Sequence, residues 1–126
     1  MQKISQILEE LDSLFAKGDT EKIGLFLEKQ ISVFKENQET DNLITMLNEM
    51  IGFLRDMGQF EAGEEYCNWL YSLVEEKNYK GTIAYATTCL NIANFKRAKK
   101  EYEASEKFYL EVLPVYDVFL GVKVLL

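Results

Sequence analysis

Residues 45–74 and 87–116 repeat one pattern at a spacing of 42 positions. Thr45 aligns with Thr87, Phe53 with Phe95, Arg55 with Arg97, Phe60 with Tyr102, Glu61 with Glu103, Ala62 with Ala104 and Glu64 with Glu106. An internal period in the range of roughly 20–50 residues marks a stacked-repeat protein, in which each unit hides its apolar face against its neighbour. Such a chain builds an extended surface more readily than a catalytic pocket. A binding role is therefore expected, and the nature of what is bound is not written in the repeat.

At 126 residues the chain is one domain's worth of polypeptide. Its 48% hydrophobic and 28% charged residues are those of an ordered globular protein. A single proline and seven glycines leave few breaks, which favours long helices joined by short links. The formal charge of -7 excludes the basic face that nucleic acid demands. The cluster Lys96, Arg97, Lys99 and Lys100 is read as cations offsetting a helix dipole at its C-terminus. No basic segment followed by an apolar run opens the chain, and no run of about 18 apolar residues could span a bilayer. Cys67 and Cys89 fit no metal or redox spacing and are read as small core residues, so a reducing, cytoplasmic setting is expected.

Helical periodicity runs through the chain up to Pro114. Ile4, Ile7, Leu8, Leu11, Leu14 and Phe15 form one stripe and predict a helix over residues 3–17, closed by Gly18, with Asp19 or Thr20 capping the next. The second helix carries Ile23, Phe26, Leu27, Ile31 and Phe34 to about Glu36, and Thr40 is the expected cap of the third. Helix three ends at Gly58 and helix four runs from Phe60 to about Lys77. Helix five runs from Thr82 to about Ala98, and helix six from Tyr102 to at least Leu113. Three antiparallel hairpins follow, over about residues 3–36, 41–77 and 82–113 of a domain spanning 1–114. Residues 115–126 form an apolar tail that either folds back, pairs with another chain or belongs to a longer array; a homodimer through it is the preferred expectation.

The duplicated segments resemble tetratricopeptide repeats. Gly58-Gln59-Phe60 and Lys100-Glu101-Tyr102 stand where that family opens its second helix, Gly63 and Ser105 where it places a small residue, and Phe53 and Phe95 late in its first helix. The 42-residue spacing is similar to the longer variety in kinesin light chains and bacterial peptide-sensing regulators. The stretch from Gly81 to Asn91 resembles the N-terminal part of bacterial tetratricopeptide proteins. Lys100 in place of the usual glycine, and the missing early tryptophan, depart from the pattern. The resemblance implies an all-α, right-handed superhelix of three hairpins that binds a protein or peptide. The packing positions it implies are Phe53, Gly58, Phe60, Gly63, Phe95, Tyr102 and Ser105.

On that arrangement the first helix of each unit lines the concave side. The candidate peptide-binding residues are then Thr45, Asn48, Arg55, Thr87, Asn91, Asn94 and Arg97, with Gly52 and Asp56 beside them. Asparagine both donates to and accepts from a peptide backbone, and arginine grips a carboxylate through two bonds. A plain solvated face is the competing reading. The chain has no histidine, no phosphate loop and no nucleophile elbow. Glu9-Glu10, Glu64-Glu65 and Glu75-Glu76 are adjacent, point about 100° apart on a helix, and read as solvated acids. Trp69 is read as buried between repeats, and Met46, Met50 and Met57 as core fillers. No catalytic residue, metal ligand or cofactor is expected. A sensory domain of a peptide-responsive bacterial regulator, and a self-associating structural fragment, are the alternatives.

Overall fold

The first five helices of this chain each stop where the backbone turns left-handed, and those stops set the architecture. The computed structural model describes residues 3–120, with side chains from Lys3 to Val115. Six helices follow in order: α1 Ile4–Lys17, α2 Thr20–Glu36, α3 Thr40–Asp56, α4 Phe60–Glu76, α5 Ile83–Ala98 and α6 Tyr102–Leu120. Among the described residues there is no strand. The fold is all-α, as the periodicity predicts. No helix in this range is long and apolar enough to cross a membrane.

Gly18 closes α1 at φ 70, and Gln38, Gly58, Asn78 and Lys100 close the next four at φ 56, 69, 59 and 68. Each of the latter four sits in one bonding pattern. At Gly58, its own N–H reaches Arg55 O (3.1 Å) and the next N–H, of Gln59, reaches Leu54 O (2.9 Å). The same pair recurs as Gln38 to Lys35 with Glu39 to Phe34, as Asn78 to Glu75 with Tyr79 to Val74, and as Lys100 to Arg97 with Glu101 to Lys96. These bonds satisfy carbonyls that a helix end otherwise leaves bare. Lys100 thus adopts the conformation of Gly58, 42 residues earlier, although a side chain makes that conformation costly.

The cap after each stop starts the next helix. Asp19 accepts from the Lys22 N–H (3.1 Å), and Thr82 accepts from that of Tyr85 (3.2 Å). At α3 the expected Thr40 cap is displaced by one residue. Thr40 is already helical and Glu39 gives the first carbonyl, to Leu43 N–H (2.9 Å), because the preceding stop delivers Glu39 directly into the cap position. The links 37–39, 57–59 and 99–101 are three residues each, whereas 77–82 is twice as long and holds a second left-handed residue, Gly81 at φ 90.

Contacts gather the chain into two units, Met1–Met50 and Ile51–Leu126, with the division inside α3. In the first, α1 packs on α2, and Ile7 and Leu11 of α1 and Ile23, Leu27 and Ile31 of α2 are buried. In the second, α5 packs against both α4 and α6. That position explains why α5 hides seven residues, Tyr85, Ala86, Thr88, Cys89, Ile92, Ala93 and Phe95, on more than one side rather than along a single stripe. The sequence register carries into burial: Leu47 and Cys89, Met50 and Ile92, Ile51 and Ala93, Phe53 and Phe95, Gly63 and Ser105, Leu70 and Val112 are all buried. Met46 and Met50 fill core as expected, but Met57 lies past the end of α3 and is 41% exposed. Trp69 is half-buried and stacks on Tyr66 at 6.4 Å, in place of full burial.

Helix α6 runs through Pro114 to Leu120. Proline removes one helix bond, to the carbonyl four residues back. Here the bond lost is the one from position 114 to the Leu110 carbonyl, and both residues are exposed. Val115, the first residue of the expected tail, is buried. The side chains of 116–126, on which the expected homodimer depends, lie outside the described residues.

Candidate functional site

Because α5 turns so much of its surface inward, what remains outward is a narrow stripe. Thr87, Asn91, Asn94 and Ala98 recur at steps of four, three and four, with Arg97 alongside. Thr87 and Arg97 are exposed, and Asn91 and Asn94 half-buried. The structure therefore brings these four candidates onto one side of one helix. Asn94 is further tied down, its Oδ1 accepting from the Tyr109 hydroxyl of α6. That bond uses the Asn94 oxygen and leaves the amide nitrogen as its side-chain donor.

The candidates on α3 are engaged differently. The Thr45 hydroxyl donates to Asp41 O (3.2 Å) and the Asn48 amide to Ile44 O (3.0 Å), each on its own helix. Arg55 Nε donates to Asp56 Oδ1 (3.1 Å). Such local bonds hold side chains close to the helix surface and compete with an incoming peptide for the same donors. Gly52 has nothing within 4 Å of where a side chain would begin.

Packing residues behind the stripe are better defined. Phe95 is fully buried and meets the Phe60 ring edge-on at 5.7 Å. A Cβ on Gly63 would lie 2.6 Å from Phe95 Cζ and closer still to Cε2. Glycine is required there by lack of room. At the equivalent place on α6, Ser105 is buried and its hydroxyl donates to Ala93 O (2.8 Å). Tyr102 differs from its counterpart Phe60 in being 64% exposed.

Two polar clusters join α4, α5 and α6, and neither is legible from spacing. Glu64 is held by Lys96 and by Lys99 (3.0 Å), and both lysines also meet Glu101 (3.7 and 3.2 Å). Glu64 is thus no solvated acid, and the basic run is more than a dipole offset. Burial pushes the Glu64 carboxyl up, but hydrogen bonds and charge from the two lysines outweigh it and leave it below the usual range. Hydrogen bonds to Glu64 and Glu101 raise Lys99.

In the second cluster Glu111 accepts from the Tyr85 hydroxyl, from that of Tyr71 (3.4 Å to each oxygen) and from Cys89 Sγ (3.9 Å), while the two phenols lie 3.3 Å apart. Burial, then the bond to Glu111, raises Tyr85; burial also raises Tyr71. Burial pushes the thiols of Cys67 and Cys89 up to about 12, so both are protonated and inert near neutral pH. Elsewhere, burial and the negative charge of Asp12 raise Glu49.

Among the described residues no group of three or more acidic, cysteine or histidine side chains is placed to hold a metal ion. A shallow surface depression of about 510 Å³ lies at the start of α6 between Glu101, Tyr102, Glu103, Ala104, Lys107 and Phe108. Comparison with family models, curated proteins and solved structures finds no match to this chain.

Proposed function

We propose that this chain is a protein- or peptide-binding module without a catalytic step, acting in the cytoplasm. Its three hairpins then stack as a right-handed superhelix of the tetratricopeptide kind, in the 42-residue variety. The observation that carries the reading is the outward stripe of α5: Thr87, Asn91, Asn94 and Arg97 on the one side of a helix whose other sides are core. Asparagine amides would bond an extended peptide's backbone and Arg97 would hold a carboxylate. Protonated thiols and a chain lacking histidine support a binding role over a chemical one.

The test begins with selection of binders from a displayed random-peptide library, with the full chain as bait. The selected peptide is then titrated calorimetrically into the chain and into the Asn94→Ala, Arg97→Ala double variant, with thermal melts verifying that both are folded. A loss of at least about tenfold is expected, the scale of one charge-assisted bond. Equal affinity for the two proteins, or a selection yielding no binder, overturns the proposal.

A further inference from the structure

The 42-residue register relates surfaces as well as cores. On α4, Phe60, Gly63, Glu64 and Tyr71 meet α5 or the residue that follows it. Phe60 and Gly63 receive the Phe95 ring, Glu64 takes Lys96 and Lys99, and the Tyr71 hydroxyl lies 3.3 Å from that of Tyr85. At the same steps α6 carries Tyr102, Ser105, Glu106 and Leu113. Ser105 is buried, but Tyr102 is 64% exposed, Glu106 is exposed and Leu113 half-buried, so the places that Phe60, Glu64 and Tyr71 hold against α5 remain accessible on α6.

We infer that this face of α6 docks a basic amphipathic helix of a partner protein. The internal copy dictates the chemistry. Glu106 replaces Glu64 and calls for lysines placed as Lys96 and Lys99 are, one and four residues beyond the residue that meets Tyr102. Glu103 adds acidic charge on the same turn. One difference selects the apolar residue. Ser105 has the Cβ that Gly63 lacks and is itself buried, so this place leaves no room for a ring in the Phe95 pose. The partner therefore presents an aliphatic residue where α5 presents phenylalanine. The Ser105 hydroxyl is already bonded to Ala93 O and places no polar demand on the contact. This surface lies on a different helix from the stripe of Thr87, Asn91, Asn94 and Arg97, and it stands or falls separately.

The probe is a synthetic peptide of residues 83–100 carrying Phe95→Leu, side-chain-stapled because an isolated helix of that length is marginal in water. Fluorescence anisotropy with the full chain reads binding. Tyr102→Ala and Glu106→Lys are each expected to weaken it at least tenfold without moving the melting temperature, since both residues are exposed. A peptide with Lys96→Glu and Lys99→Glu is expected to recover binding to the Glu106→Lys variant, and the peptide retaining Phe95 to bind at least fivefold more weakly. Absence of saturable binding, or equal affinity for the chain and both variants, overturns the docking site; equal binding of the phenylalanine peptide overturns the size selection.

Discussion

At the scale of single residues, the fate of one Cβ separates two glycines that look alike in the sequence. Gly52 and Gly63 both sit inside helices, where alanine is ordinarily better by about 1 kcal/mol. At Gly52 a Cβ would meet nothing within 4 Å, so Gly52→Ala is expected to stabilise by about 0.5–1 kcal/mol. At Gly63 it would press on the Phe95 ring, which is fully buried and held by Phe60. Overpacking of a closed core costs about 1–3 kcal/mol, more than the propensity gain, so Gly63→Ala is expected to destabilise. Urea melts of the two variants check this pair: the shifts must have opposite signs. Lys100 teaches a related lesson. It departs from the glycine of the repeat pattern, yet its φ of 68 is close to the 69 of Gly58. Two backbone bonds enforce the turn there, and residue type only sets its cost.

Among elements, the local rules were legible and the crossings between helices were not. Helix positions, the stops at Gly18 and Gly58 and the cap at Asp19 could be read because each depends on residues within one turn; Thr82, read as the first helical residue, is instead the cap of α5. That Asn91, Asn94 and Arg97 share one face followed from their spacing, whereas the placing of these residues and Thr87 on a binding side was implied by the resemblance. Glu64, by contrast, is bound by lysines 32 and 35 residues away, a distance at which no spacing rule speaks. The Tyr71–Tyr85–Glu111 cluster was hidden for the same reason, and Thr40 was misplaced by a single residue because the preceding stop sets the frame.

The α4–α5 clamp carries a pH signature. Glu64 is depressed on folding, so its stabilisation is present above the ordinary carboxylate range and is lost as pH falls through its folded value. Lys99 is raised, so its share persists below the ordinary lysine range and is lost as pH rises through its elevated value. Glu64→Gln is expected to lower stability near neutrality by about 1 kcal/mol, given partial exposure of all three groups. In acid, where Glu64 is protonated, the variant and the parent should melt together; a difference that persists at pH 2 would assign the effect to packing.

On the scale of the whole molecule, the cysteines offer a reporter that the chain already contains. Cys67 and Cys89 are buried at 2% and 0% exposure, with thiols pushed up to about 12. Under native conditions at pH 8 a disulfide reagent should label neither at the rate of a free thiol, and both should react at once in denaturant. Labelling then measures opening of the 51–126 unit. Rapid native labelling of either thiol would contradict the packing of α5 against α4 and α6.

The doubled link of residues 77–82 has a consequence of its own. Its neighbours are three-residue turns in which every backbone N–H is bonded, whereas this segment is longer and exposes Lys77, Asn78, Lys80 and Gly81. An exposed surface connection is where a polypeptide tolerates being cut, lengthened or rejoined. An engineer wishing to splice in a tag, or evolution wishing to graft a new epitope, would find the least resistance there.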